Sequence, residues 1–413
     1  LTARSDPYRA LRYGDFRWLL VATTLASIAS QMQSLVLGWQ VYELTHDALA
    51  LGWMGLAEAL PFLGLTLVGG LAADRWNRRV LAVASTALSL LGALVLLMWF
   101  RYWHRHASTW PLYAVQSLAG VSRAFSRPAT QALGAELVPR SEYQNASTWR
   151  SACFHFSMVA GPAIGGLLFA WGGSLLAFKV IASLLAAGAV CMLIVRGGNT
   201  HRALVTSHSR GLVAGVRFVF AHRLILSALS LDLFAVLFGG AIALLPAFAS
   251  DILHVGPEGL GLLRTAPAVG AIGMSLVLAY RPPNRRAGAV LLAAVAVFGA
   301  CWILIAFSRT LAWSVALLAL SGAVDDISVV LRATLVQTHT PADMMGRVQA
   351  VNGFFIGSSN EIGAFESGLT AKALGLVPSV VFGGCMTLVV VAAVAYLVPE
   401  LRRLKHITDP ASE

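Results

Sequence analysis

Runs of twenty or more apolar residues recur along the whole chain, separated by short polar breaks. An α-helix needs about 20 such residues to cross a bilayer. The runs predict helices over 16–43, 49–73, 79–102, 110–137, 143–170 and 174–196, then 223–250, 257–280, 287–307, 310–338, 344–373 and 376–398. They are continuous rather than alternating, which argues against an outer-membrane barrel. The fold class expected is all-α and integral to the membrane, with twelve spans. Arg196–Arg223 is rich in Gly, Ser, His and Arg and splits the spans into two groups of six. Within it, Leu212, Val216 and Phe220 are expected to line one face of a surface helix, with Arg217 opposite. The domains read as 1–196, a linker 197–222, and 223–413.

Composition sharpens this. The 413 residues are 57% hydrophobic and only 12% charged, against about 25% charged in soluble domains. A net charge of +11 in such a chain points to loop arginines and anionic lipids rather than nucleic acid. Arg75, Arg78, Arg79, Arg140, Arg196, Arg202, Arg210, Arg281, Arg285, Arg286 and Arg347 fall in alternate breaks, and both tails are basic. Both termini are therefore expected in the cytoplasm, with His104-Arg105-His106 as a minor violation. The first apolar run is too long for a cleavable signal peptide. Cys153, Cys191, Cys301 and Cys385 all lie inside apolar runs and lack metal-type spacing. No cofactor or metal is expected. The expected partners are the lipid bilayer, a small-molecule substrate and protons, and the chain is expected to work as a monomer.

The two halves repeat each other. Asn77-Arg78-Arg79 recurs as Asn284-Arg285-Arg286, and Gly161-Pro-Ala-Ile-Gly-Gly166 aligns with Gly363-Ala-Phe-Glu-Ser-Gly368. Two six-span halves in one orientation predict a site near the membrane midplane between them.

Charge inside a span costs several kcal/mol, so each instance asks for a partner or water. Glu58, Asp232, Asp325 and Glu361 are the proton-coupling candidates. Gln31, Gln33, Arg123, Arg127 and Asn360 are the substrate-cavity candidates. Gln116, Gly120, Arg123 and Arg127 share one face of the fourth span. Two arginines four residues apart repel unless an anion joins them. For Glu58 and Asp232 a structural role weighs equally with a functional one, and Arg332 is expected to pair with Asp325. Neighbouring acids on a helix diverge by about 100°, so Asp325 and Asp326 should point to different surroundings.

Gly70-Leu-Ala-Ala-Asp74-Arg75-Trp-Asn-Arg78-Arg79, between the second and third spans, resembles the signature loop of the major facilitator superfamily of transporters. Asn77 stands where that loop usually has Gly, a substitution a left-handed turn tolerates. Gly161, Pro162, Gly165 and Gly166 resemble the antiporter motif of drug–proton exchangers in that superfamily. Gly38-Trp-Gln-Val-Tyr-Glu-Leu-Thr45, Arg123-Ala-Phe-Ser-Arg-Pro-Ala129 and Gly346-Arg-Val-Gln-Ala350 extend the resemblance to the exporter branch that includes enterobactin and macrolide-efflux-like proteins.

The resemblance implies a major facilitator fold of two pseudo-symmetric six-helix bundles. It implies location in a bacterial inner membrane and proton-driven export of a small organic molecule by alternating access. It also implies a cytoplasmic gate, here Gly70, Asp74, Arg75, Arg78, Arg79 and Glu136; Glu136 ends the fourth span beside that loop and is expected from its position to pair with Arg78 or Arg79. Two other readings stand beside it. One is a proton-coupled uptake symporter on the same fold. The other is a non-transporting sensor or scaffold, which the charged spans disfavour. No nucleophile–base pair or phosphate loop suggests an enzyme.

Overall fold

A computed structural model describes residues 6–102, 108–197, 208–239, 241–281, 286–341 and 344–404. Every regular element among them is helical. The main helices are α1 (Gly14–Thr45), α2 (Ala48–Arg75), α3 (Arg78–Tyr102), α4 (Trp110–Glu136) and α5 (Tyr143–Ile194). After them come α6 (His208–Ala221), α7 (Arg223–Gly239), α8 (Pro257–Tyr280), α9 (Ala287–Phe307) and α10 (Leu311–His339). The chain continues through α11 (Met345–Leu374), α12 (Leu376–Leu397) and the short α13 (Pro399–Arg403). His104-Arg105-His106, Arg202, Asn284, Arg285 and residues 198–207 of the linker lie outside the described residues.

Among the described residues nine helical stretches are long and apolar enough to cross a membrane. One of them ends as α5 and carries two crossings, because Gly172 and Gly173 leave helical geometry in its middle. Gly173 has φ +63°, a conformation that a side chain resists. α4 and α11 have the length for a crossing, 27 and 30 residues. Their charged and amide side chains keep them below the apolar threshold. With these two, twelve helices have the dimensions of spans, as an all-α major facilitator fold requires.

One expected span is not α-helical throughout. Apolar residues continue from 223 to 250; α7 is described to Gly239. A 3₁₀ turn (Ala241–Leu244), a single turn beginning at Leu245 and a π turn (Phe248–Ile252) follow. Pro246 has no N–H to continue the ladder, so periodicity alone overstated the regularity.

The chain divides into two units. The first is Leu1–Leu44 with Ala57–Val205; the second is Thr45–Leu56 with Thr206–Glu413. The first buries Leu19, Ala22, Ala73, Ala82, Ala129 and Leu133 as one cluster. The second buries a larger one, including Val219, Ile225, Leu291, Leu335, Val348 and Leu401.

Within each unit, glycines let helices touch backbone to backbone. A Cβ on Gly120 of α4 would overlap the Glu58 carbonyl of α2, and one on Gly322 of α10 would overlap the Pro267 carbonyl of α8. Gly161 of α5 sits against Ile28 and Gln31 of α1, while Gly363 of α11 sits against Val236 and Leu237 of α7. The turn glycines Gly173 and Gly375 both have positive φ. Gly120/Gly322, Gly161/Gly363 and Gly173/Gly375 are each 202 residues apart.

The linker helix α6 packs on the second unit by one face only. Val219 is fully buried and Phe218 packs beside it, whereas Val216 and Phe220 are 38% and 58% exposed. Leu212 lies outside the described side chains. The expected 216/220 stripe faces outward because the neighbouring 215/218/219 face docks on the unit: Gly215 lies against the backbone of Arg347.

Candidate functional site

Among the described residues each unit holds a cluster of charged groups inside its spans. In the first, Glu58 lies on α2 and Arg123 on α4, brought together by the close approach at Gly120. Arg123 Nη1 stands 2.8 Å from Glu58 Oε1. Gln116, two turns earlier on α4, donates from Nε2 to the other oxygen, Glu58 Oε2. The Arg123 guanidinium also lies 4.2 Å from the centre of the Phe62 ring, an arrangement that favours a cation. Both carboxylate oxygens are thus engaged, while the Arg123 side chain keeps 37% of its surface open.

Arg127 is exposed and within electrostatic reach of Arg123. Of these two arginines, Arg123 is the one that pairs with Glu58. Arg150, on the first arm of α5, donates to the Gln131 carbonyl of α4 at 3.4 Å. The first unit therefore presents more cation than anion inside its spans.

The second unit inverts this balance. Arg332 of α10 pairs with Asp232 of α7. Both are buried, at 4% and 7% exposure. The expected partner, Asp325, is on Arg332's own helix but seven residues away, roughly 10 Å along the axis. The neighbouring helix offers a nearer oxygen. Asp325 instead lines a small cavity with Asp232, Ala235, Val236, Val295, Phe298 and Ser328. Its volume, about 10 Å³, is close to what one water requires. Asp326 turns away and accepts a 2.7 Å hydrogen bond from Ser275 Oγ of α8, so the doublet splits as its angular spacing dictates.

The loop between α2 and α3 forms a third polar group. Arg78 pairs with Glu136 at the end of α4, one of the two partners expected. It also donates from Nε to the Ala73 carbonyl at 3.1 Å. Arg79 donates to the Leu193 carbonyl near the end of α5. Asn77 does not take the left-handed turn expected of it, and its φ is not positive. It serves as the N-cap of α3, its Oδ1 accepting the N–H groups of Arg79 (2.9 Å) and Val80 (3.2 Å). Gly70 has open space where a Cβ would stand; its neighbour Gly69 makes the close approach, onto Ala124. Asp74 and Arg75 lie in the last turn of α2.

The remaining candidates scatter. Gln31 is half-buried against Gly161, and Gln33, two residues on, is buried. Pro162, Gly165 and Gly166 are buried, and Gly165 packs on Met32. Asn360 is exposed and donates to the Ile356 carbonyl of its own helix at 2.8 Å. Glu361 is half-buried on α11. Phe62 was not anticipated as a partner of Arg123, although its i+4 position from Glu58 places both on one face of α2. Ser275 gave no signal. Among the described residues no group of three His, Cys, Asp or Glu side chains converges as metal ligands.

Comparison with known proteins agrees with this architecture. A family model described as Major Facilitator Superfamily matches residues 19–364. The multidrug efflux pump Tap of Mycolicibacterium fortuitum is 26% identical, over 96% of this chain and 98% of its own. The enterobactin exporter EntS of Salmonella typhimurium is 26% identical, over 96% and 95%. Among solved structures, a POT family transporter in complex with a thioalcohol-conjugated peptide superposes with a TM-score of 0.73. It is 13% identical and aligns over 94% of this chain and 96% of its own, which speaks to the fold alone.

Proposed function

The chain belongs to the major facilitator superfamily of membrane transporters, and on that premise we propose that its two charged clusters divide the work of proton-coupled transport. The superfamily fold and the bacterial relatives support a multi-pass inner-membrane protein that moves a small molecule by alternating access. The finer reading is that Asp232 and Asp325 carry the coupling proton, while Arg123 and Arg127 receive an acidic group of the substrate.

The observation that carries it is the placing of Asp232 and Asp325 on one cavity, with Asp232 paired to Arg332. With both acids ionised this trio has a net charge of −1; with one proton held it is neutral. Neutral groups are cheaper inside a bilayer than charged ones. A proton that enters and leaves this trio changes its charge between two values, which is what coupling to a proton gradient requires. In the first unit Glu58 occupies Arg123, yet Arg123 remains partly open and Arg127 is exposed. An acidic ligand would supply the counter-charge that these arginines share.

Outward movement is the direction proposed, from the names of the relatives that match nearly full length, a multidrug efflux pump and an enterobactin exporter. The second reading, proton-coupled uptake, draws on the solved structures: the superposed POT family transporter is described by its peptide ligand and not as an efflux pump. Membrane vesicles decide between them, with a catecholate such as enterobactin and a panel of drugs as test ligands. Accumulation in inverted vesicles with an acid interior supports antiport and export. Accumulation in right-side-out vesicles with an acid exterior supports uptake symport. No gradient-driven movement in either contradicts both.

A further inference from the structure

We propose that one end of the second unit is a docking surface for anionic phospholipid headgroups, organised by α6. Three observations converge. First, α6 has two apolar sides. Val219 and Phe218 pack into the unit, and Val216 and Phe220 face outward at 38% and 58% exposure. A helix outside the spans that shows Val and Phe outward next to Arg217 has the character of one lying in the headgroup–acyl boundary.

Second, the hydrophobic plug beneath α6 is ringed by arginine. Val219, Leu224, Ala287, Val348 and Leu401 belong to one buried cluster. Each lies one or two residues from an exposed arginine: Arg217, Arg223, Arg286, Arg347 and Arg402 respectively. Backbone contacts hold these elements together. Gly215 of α6 lies against Arg347, and Gly288 of α9 lies against Leu401 of α13, its N–H donating to the Leu404 carbonyl at 3.3 Å. The arginines therefore belong to a single surface.

Third, cation outweighs acid on that surface: the exposed Glu400 of α13 stands beside Leu401, against five exposed arginines. α6 contains no Asp or Glu, and the first two turns of α7 contain none either. Exposed cations beside exposed apolar side chains complement a leaflet carrying phosphatidylglycerol: headgroup phosphates meet the guanidiniums and acyl chains meet Phe220. A neutral leaflet offers only the second contact.

Hydrogen exchange on the full-length chain reconstituted in vesicles tests this. The probes are phosphatidylcholine alone and phosphatidylcholine with phosphatidylglycerol. Phosphatidylglycerol is expected to slow exchange of the α6 amides about thirtyfold, the factor that two arginines near an anionic surface supply. High salt should erase that gain. The double variant Arg217→Glu, Arg223→Glu should lose the gain while α9 and α10 keep their protection. Phe220→Ser should speed α6 exchange in both vesicle types. Equal protection of wild-type α6 in the two vesicles would overturn the proposal, as would a gain that persists in the charge-reversed variant. Should that variant lose α9 protection as well, the wild-type salt titration decides alone: a salt-insensitive gain rejects the lipid contact.

Discussion

Gly120 and Gly322 make the same joint in the two units, yet the charges mounted on it are opposite. Each glycine lets two helices touch backbone to backbone, α2 with α4 in the first unit and α8 with α10 in the second. Three residues later α4 carries Arg123 and α10 carries Asp325. The inversion extends along the spans. In the first unit Glu58 stands against Arg123, Arg127, Arg150 and Lys179, whereas in the second Asp232, Asp325, Asp326, Glu361 and Glu366 outnumber Arg264 and Arg332. The backbone joint fixes where a side chain projects and leaves its sign free. A repeat can thus keep one scaffold while its halves carry opposite charge.

The largest expected contrast comes from removing one arginine in each unit. Arg332→Ala leaves Asp232 buried without its cation, and breaking a buried pair costs about 3–5 kcal/mol. Arg123→Ala breaks a pair with more surface open, with an expected loss of about 1 kcal/mol. Thermal unfolding in detergent should show the first variant strongly destabilised and the second slightly so; equal losses would erase the distinction between a closed and an open cluster.

Filling the joints should affect both units alike. Gly120→Ala and Gly322→Ala each push a methyl into a backbone carbonyl, and overpacking of this kind costs about 1–3 kcal/mol. Gly120→Ala should also separate Glu58 from Gln116 and Arg123. Tolerance of both substitutions would mean the helices are not held at this distance.

Ligand chemistry offers a subtler contrast. Arg123→Ala should weaken acidic ligands more than neutral ones, measured by thermal shift or direct binding. Equal weakening would remove the anion seat from the first unit.

The smallest effect lies outside the spans. The Asp47 carboxyl is held below its ordinary value of 3.8, chiefly by its hydrogen bond from Lys372 Nζ at 2.8 Å. A lowered acid contributes stability above its unfolded value and loses it as pH falls through the folded one. The contact should therefore persist at neutral pH and disappear only in acid below 3.8. Being exposed, it should matter little and weaken with salt. In Lys372→Ala the Asp47 titration, followed by NMR, should return toward its ordinary position.

Much of the fold was legible because a span announces itself by length and apolarity. α3, α8, α9 and α12 begin and end within a residue or so of the apolar runs. α4 and α11 could be read despite their charges because polar breaks flank them. The change to 3₁₀ and π turns over 241–252 was hidden, since apolar residues continue across it. Charge pairing was only partly legible. Helical spacing placed Gln116 and Arg123 on one face, and both touch Glu58. The same spacing wrongly paired Arg332 with Asp325, because sequence reports neighbours along a helix and not those across it. Asp232 becomes Arg332's partner only when α7 packs against α10. The outward face of α6 was likewise set by what the helix docks on.

The claim that the second unit holds the coupling proton is tested most directly by Asp325→Asn. Proton movement driven by substrate, read with a pH-sensitive dye inside proteoliposomes, separates coupling from binding. The account predicts that the variant binds substrate and exchanges it down its own gradient, but moves no protons with it and cannot accumulate it against a gradient. Proton movement at the wild-type ratio in Asp325→Asn would contradict the account.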